Sequence, residues 1–211
     1  YSGRWQIIDI LGNSLYSGTW SGSTNSSNIN TITKLSNGNV LMAGENGYCE
    51  VINSNGASVS SGIWTTVSFT PATSETLSNG NIFLGGSAGN WQIISPTGNK
   101  IANGVTSNAK NIYCSEQLSN GNIIFGGYGS YYSIITQSGA NVCEKRHTTS
   151  NAFHIYEFIE MEDNNIYMLV VDVQSPYNSY SYVLDSSGDN ATLLQTLRDV
   201  IANGAISLNG N

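Results

Sequence analysis

The chain has 211 residues, of which only 10% are charged, and its formal net charge at pH 7 is −7. This acidic balance argues against nucleic acid, which needs a basic surface, and against a basic membrane-binding face. No apolar run is as long as a transmembrane helix, so we expect no membrane insertion. A chain of this length can bury a core without metal or disulfides. We expect no cofactor, because phosphate-binding loops and zinc-ligand spacings are absent.

A repeat of about 42 residues runs along the whole chain. Its first turn is the sequence LSNGN at 35–39, 77–81 and 118–122, with degenerate copies at 161–165 and 208–211. The turn residues of these copies are Gly38, Gly80, Gly121, Asn164 and Gly210. A second turn carries Gly12, Gly56, Gly98, Gly139 and Gly188. A period in this range indicates a stacked or radial array.

Each repeat predicts four short antiparallel strands. The third copy contains the runs NIYCSEQL, IIFGG, SYYSIIT and VCEKRHT, separated by turns rich in Asn, Ser and Gly. Such turns suit tight hairpins because these residues tolerate positive φ. The second run is apolar at every position (40–44, 82–86, 123–127 and 166–171), which predicts a strand covered on both faces. Burial is expected at four equivalent positions: Leu35, Leu77, Leu118 and Met161.

These strands predict an all-β fold, a five-bladed β-propeller of four-stranded antiparallel blades, forming one domain over 1–211. Gly210 is a first turn without a second, and Gly12 is a second turn without a first. The N- and C-terminal segments are therefore expected to complete the last blade together. The join lacks about five residues, equivalent to the second strand. Either that blade has three strands, or the chain is part of a longer protein, which we favour.

Aromatic residues recur at one position of the third strand. The five copies carry Trp5, Cys49, Trp91, Tyr132 and Ser181. Two interpretations are open for Trp5, Trp91 and Tyr132: they form core between blades, which we favour, or they are exposed and stack on a ligand.

The segment 153–180 departs from the repeat. The offset between its two turns grows from 18 to 24 residues, and it holds five of the 14 acidic residues of the chain. We interpret these acids as a solvated edge; a calcium site is the alternative, but no D-x-D-x-D loop is present. Tyr177, Tyr180 and Tyr182 lie in what should be the longest loop of any repeat. Tyrosine-rich loops suit recognition, so these three residues are the first candidates for ligand binding.

The groups needed for catalysis are scarce. His147 and His154 are the only histidines, and no Gly-x-Ser-x-Gly elbow, phosphate-binding loop or zinc spacing accompanies them. We expect no catalytic residue and no metal ligand. Cys49, Cys114 and Cys143 lack the CxxC spacing, and they are either three free thiols or one disulfide with one free thiol.

The run 34–64 resembles a kelch-type repeat of the galactose-oxidase propeller class. The resemblance is carried by the leucine, the Asn-Gly turn, the apolar strand and a closing tryptophan, seen at Trp20 and Trp64. The turn and strand rhythm is also similar to that of delta-60 repeats. What the resemblance implies is a scaffold that presents loops for recognition, although fold does not establish function.

Three functions follow as expectations. The first is a non-enzymatic recognition or structural module that binds a protein or a glycan through the irregular fourth repeat. The second is a multivalent lectin with equivalent sites at the repeated aromatic positions. The third is a kelch-like propeller enzyme. The lysine-poor surface, rich in Asn, Ser and Gly, favours a secreted, cell-surface or virion protein within a larger chain or assembly.

Overall fold

The structure is a computed structural model that describes residues 3–20, 28–65, 69–174, 178–188 and 191–198. These residues form eighteen strands in five antiparallel sheets. Sheet I contains β1 (Arg4–Ile8) and β2 (Ser14–Thr19). Sheet II contains β3 (Ile29–Lys34), β4 (Val40–Gly44), β5 (Tyr48–Ile52) and β6 (Ser58–Ile63).

The remaining sheets repeat the order of sheet II. Sheet III contains β7 (Pro71–Thr76), β8 (Ile82–Gly86), β9 (Asn90–Ile94) and β10 (Lys100–Val105). Sheet IV contains β11 (Ile112–Gln117), β12 (Ile123–Gly127), β13 (Tyr131–Ile135) and β14 (Asn141–Arg146). Sheet V contains β15 (Phe153–Glu160), β16 (Ile166–Asp172), β17 (Asn178–Leu184) and β18 (Thr192–Arg198). Each of sheets II to V is thus a four-stranded meander, as the repeat predicts.

The first turn has the same hydrogen bond in the four copies that the structure describes. The amide of Gly80 donates to the carbonyl of Leu77 at 2.8 Å, and Gly80 has a φ of +83°. In the degenerate copy the amide of Asn164 donates to Met161 at 2.9 Å, with a φ of +62°. Asparagine tolerates this left-handed conformation better than most side chains. The loss of glycine in the fourth copy therefore leaves the turn intact.

The second and third strands of sheets II to IV form most of the core. All five residues of β8 and of β12 are buried, which confirms the covered second strand. Leu35, Leu77 and Leu118 are each only 2% exposed. Met161 is half-buried, so the expected burial is wrong at that copy.

The first strands of sheets II to V lie side by side in the order β3, β7, β11, β15. Hydroxyl pairs cross two of these junctions: Thr31 Oγ1 lies 2.8 Å from Ser74 Oγ, and Thr73 Oγ1 lies 2.9 Å from Ser115 Oγ. We call the exposed side chains of β3, β7, β11 and β15 the first-strand surface.

The aromatic residues of the third strands pack between sheets. Trp91 covers Gly104 of the neighbouring strand, and a methyl group at Gly139 of sheet IV would lie 3.1 Å from its Cη2 atom. In the same way Trp5 covers Gly18 and reaches Gly56 of sheet II. The second-turn glycines therefore leave room for the aromatic ring of the preceding sheet.

The glycines that end the second strands make two kinds of close contact. A methyl group at Gly85 would lie 2.9 Å from Ile112 of sheet IV, and one at Gly126 would lie 3.1 Å from Phe158 of sheet V. Gly86 and Gly127 instead approach backbone at the start of their own sheet. Only the first glycine of each of these two pairs therefore contacts the next sheet.

Closure of the array into a ring is not observed. Sheet I has two strands. Within the described ranges, neither of them is hydrogen-bonded to a strand of sheet V. Gly210 and Asn211, which were expected to complete the last blade, lie outside the described residues. The helical content of these ranges is three single 3₁₀ turns, and no helix there could cross a membrane.

Candidate binding site

A β-bulge recurs on the first strand of each four-stranded sheet. The pairing with the second strand shifts between Ile112 and Cys114 in sheet IV and between Ile155 and Glu157 in sheet V. The residues skipped in sheets II to V are Asn30, Ala72, Tyr113 and Tyr156. A bulge leaves one residue unpaired and redirects its side chain. The four bulges therefore place one variable side chain per sheet at the same end of the first-strand surface.

Two of the four bulge residues are tyrosines in contact with each other. The ring centroids of Tyr113 and Tyr156 are 5.9 Å apart, and the rings are inclined by only 22°. Tyr156 is 42% exposed, whereas Tyr113 is half-buried. Burial raises the pKa of Tyr113, and the neighbouring Tyr156 and Tyr128 raise it further, against a lowering by the side chain of Asn111. This pair is an aromatic surface open to a ligand.

His154 lies beside the tyrosine pair. Its ring centroid is 5.6 Å from that of Tyr113 and 4.5 Å from that of Tyr128, which belongs to the 3₁₀ turn after β12. The side chain is 8% exposed, and its Nε2 atom is buried without a hydrogen-bond partner. Burial lowers the pKa of His154, although a hydrogen bond with the backbone of Asn151 opposes this effect. The imidazole is therefore neutral at pH 7. We call Tyr113, Tyr128, His154 and Tyr156 the aromatic group.

Three glutamates follow on the same strands. Burial raises the pKa of Glu75 on β7 and that of Glu157 on β15. Burial also raises the pKa of Glu116 on β11 to about 7, and repulsion from Glu75, Glu157 and Glu160 adds to this effect. In the part of the chain that the structure describes, no cation or hydrogen-bond donor opposes these shifts. The first-strand surface thus combines an aromatic end with uncompensated carboxylates.

Other acids of the 153–180 segment have separate roles. Glu160 accepts hydrogen bonds from the amide and hydroxyl of Ser119, at 2.5 and 2.9 Å, and so ties sheet V to sheet IV. Asp163 accepts from the amide of Asn165 within its own turn at 3.0 Å. In the described part of the chain, no three His, Cys, Asp or Glu side chains are arranged to hold a metal ion.

The structure places the six residues predicted to bind ligand in different surroundings. Trp91 and Tyr132 are buried, and Trp5 is half-buried at an open depression of sheet I. The hydroxyl of Tyr132 donates to the carbonyl of Gly188 at 2.8 Å. These positions are used for packing between sheets, as we favoured for them. They leave little aromatic surface for a ligand at Trp91 and Tyr132.

The long loop predicted for the fourth repeat is shorter than expected, because β17 already begins at Asn178. Tyr180 and Tyr182 are half-buried strand residues that pack against the core of sheets IV and V. Their rings lie 5.5 Å from Phe153 and 3.9 Å from His147, respectively. The expectation that they lie on a projecting loop is therefore wrong. Tyr177 lies outside the described residues.

The cysteines do not approach each other as disulfides. Cys49, Cys114 and Cys143 are all free thiols. Burial raises the pKa of Cys49 to about 12, and burial with the nearby charge of Glu157 raises that of Cys114 well above its usual value. Both buried thiols are therefore inert packing groups.

Sequence reasoning missed the aromatic group. A usable signal existed, because Tyr113 and Tyr156 occupy the fifth position before the leucine (or methionine) of their repeats. The equivalent residues in the other two copies are Asn30 and Ala72. Aligning the repeats at this position would have placed two aromatic residues on the first strands of neighbouring repeats. Their contact with His154 depends on the bulge and on the distance between sheets.

No protein-family model and no curated protein sequence matches the chain. Solved structures share its fold over most of its length. Virginiamycin B lyase from Staphylococcus aureus superposes with a TM-score of 0.71 at 14% identity, covering 92% of this chain and 69% of the lyase. A Bacteroides caccae protein of unknown function gives a TM-score of 0.62 at 15% identity, covering 92% and 74%.

A third neighbour is the β-propeller domain of Cps50 (Swd1) from Myceliophteria thermophila, with a TM-score of 0.66 at 11% identity, covering 93% of this chain and 65% of that one.

Proposed function

We infer that the protein is a β-propeller-type repeat array, from the fold that these neighbours share. We propose that this array is a non-enzymatic recognition module whose partner binds at the aromatic end of the first-strand surface. The observation that carries the proposal is the tyrosine pair Tyr113–Tyr156, which two bulges hold beside the buried His154. Tyrosines offer rigid contact area with a polar tip, and such residues anchor many interfaces.

A single asymmetric site explains why only two of the four bulges carry tyrosine. Asn30 and Ala72 occupy the other two, so a partner meets aromatic surface at sheets IV and V alone. A protein segment is therefore favoured over a glycan bound at several equivalent sites. The multivalent lectin is less well supported, because Trp91 and Tyr132 are already packed between sheets.

The proposal is tested by screening the chain against a peptide library and a glycan array. Wild type is compared with the double variant Tyr113→Ala/Tyr156→Ala and with Tyr16→Ala. Tyr16 is a matched control, since it is 42% exposed like Tyr156 but lies on sheet I. We expect the double variant to lose the peptide ligands of the wild type and Tyr16→Ala to keep them. Equal binding by all three, or ligands from the glycan array alone, would contradict the proposed site.

The cellular setting belongs to the same proposal. We place the module in a secreted, cell-surface or virion protein, as part of a larger chain or assembly. The support is compositional: seven Lys and Arg residues in 211 leave a surface of neutral polar groups. The kelch-type and delta-60-type resemblance remains a hypothesis about subfamily.

An enzyme is the second candidate, because one neighbour is described as a catalytically inactive histidine-to-alanine virginiamycin B lyase with quinupristin. The supporting observation here is a neutral imidazole at His154 beside three tyrosines. Incubation of the protein with quinupristin, followed by mass spectrometry of the antibiotic, tests this function. Turnover that His154→Ala abolishes would replace the non-enzymatic proposal.

A further inference from the structure

The tyrosine pair and the glutamates share one surface. Tyr156 and Glu157 are consecutive residues, yet both side chains are exposed. Consecutive strand residues normally point to opposite faces, and the bulge at this position accounts for the exception. Glu116 lies on the neighbouring β11, close enough to Glu157 for the two charges to repel. A ligand on the tyrosine rings would therefore lie beside carboxylates.

Tyrosine rings at this end of the array already attract cations. The Nζ atom of Lys110 lies 5.2 Å from the ring centroid of Tyr128, and the guanidinium of Arg146 lies 4.7 Å from that of Tyr131. Arg146 is held there by hydrogen bonds to Gly129 and Asn151. The negative face of an aromatic ring attracts ammonium and guanidinium groups. Among the described residues, no such cation lies over the Tyr113–Tyr156 pair.

The buried nitrogen of His154 is a second feature that a ligand can satisfy. Nε2 has no hydrogen-bond partner, and the side chain is more than nine-tenths buried. Because the hydrogen bond to Asn151 uses the other ring nitrogen, Nε2 of the neutral imidazole is an acceptor. A ligand N–H that reaches Nε2 would satisfy this acceptor. An unsatisfied buried acceptor is costly, so a donor is favoured over an apolar group.

We propose that the aromatic end of the first-strand surface binds a cationic side chain, the guanidinium or ammonium group of a basic peptide, between the tyrosine pair and the glutamates. This inference rests on the proposed function and names its ligand. The N–H donors of the cation face His154 and the carboxylates, and its charge lies over the rings. The net charge of −7 also steers a basic partner towards the protein.

The test is isothermal titration calorimetry with the peptide acetyl-Gly-Arg-Gly-Lys-amide and its neutral analogue acetyl-Gly-Gln-Gly-Gln-amide. Glu116→Gln and Glu157→Gln are compared with Glu162→Gln, an exposed carboxylate in the adjacent turn. We expect only the basic peptide to bind, with affinity reduced about fivefold in each of the first two variants at pH 8. Glu162→Gln should match the wild type, and melting temperatures check that all variants fold.

The pH dependence provides an independent readout. The charged groups that act on Glu116 are Glu75 on β7 and Glu157 and Glu160 on β15. Glu116 gains its charge as the pH rises through about 7, so wild-type affinity should increase between pH 6 and pH 8. Glu116→Gln should remove this increase. Glu116→Gln isolates this effect from any titration of His154, whose pKa burial lowers.

The outcomes separate this inference from the proposed function. Equal binding of the two peptides, or unchanged affinity in both glutamate variants, overturns the cationic ligand. If other ligands are still lost in Tyr113→Ala/Tyr156→Ala, the recognition site itself stands. Spermidine is titrated in parallel: tighter binding than the peptide assigns the site to free polyamines, and weaker binding assigns it to a peptide side chain.

Discussion

Glu116 combines burial with repulsion from like charges. Its carboxylate is half-buried and is repelled by three other glutamates, so its pKa rises to about 7. In the unfolded chain the same group titrates near 4.5. The folded protein therefore binds more protons than the unfolded chain between these values. The contribution of Glu116 to the free energy of unfolding is therefore fully present below about pH 4.5, and it is lost as the pH rises through about 7.

We expect Glu116→Gln to stabilise the protein at pH 8 by about 1 kcal/mol, after allowance for solvent screening, and to have little effect at pH 4.5. Urea denaturation at the two pH values measures this difference. Glu162→Gln controls for the loss of one negative charge. Equal effects of Glu116→Gln at both pH values would show that Glu116 does not titrate as described.

Between elements, the second-turn glycines join one sheet to the next. Gly139 has a φ of +84°, and an added methyl group would lie 2.6 Å from the Cβ atom of Ala102 and 3.1 Å from Trp91. Gly12 has the same φ of +84°, but apart from its chain neighbours no atom of the described residues lies within 4 Å of a methyl group added there. Any substitution therefore meets the same backbone strain in both turns, but only at Gly139 does it also meet another sheet.

This pair provides a matched test of sheet packing. Gly12→Ala should lower the free energy of unfolding by about 1 kcal/mol, because alanine is strained at positive φ. Gly139→Ala should lower the free energy of unfolding by about 1 to 3 kcal/mol more than Gly12→Ala does, because its methyl group overpacks against Trp91 and Ala102. Chemical denaturation of both variants gives the difference. Similar losses would mean that the junction between sheets III and IV opens to accept a methyl group at no cost.

For the whole molecule, the sheets differ in how completely they are paired. Strand β9 is hydrogen-bonded to β8 on one edge and to β10 on the other. Among the described residues, its counterpart β1 is paired only with β2. Two-stranded sheets are marginal by themselves, and local opening follows the number of buried contacts.

Hydrogen exchange should therefore separate two equivalent tryptophans. We expect the backbone amides of β1, including Trp5, to exchange faster than those of β9, including Trp91. Amide-resolved mass spectrometry or NMR checks the order. Equal protection of the two strands would indicate that the free edge of β1 is covered in solution.

Much of the fold follows from local features of the sequence. The LSNGN turns predict where strands end, because glycine and asparagine accept the positive φ that each hairpin needs. The continuous apolar run at 82–86 predicts a strand covered on both faces, and all five residues are buried. Tyr180 and Tyr182 were misplaced because the extra residues of the fourth repeat lengthen β16 and β17 as well as their connection.

The sequence by itself determined the repeat, the order of strands and the burial of the central strands, since these depend on neighbours within one hairpin. Only the tertiary structure decided which aromatic rings remain available. Trp91 is buried against Gly139, whereas a bulge brings Tyr156 to the surface beside Tyr113. The pKa of Glu116 likewise depends on carboxylates from two other sheets. Such contacts join residues about one repeat apart, and their geometry is set by how closely the sheets pack.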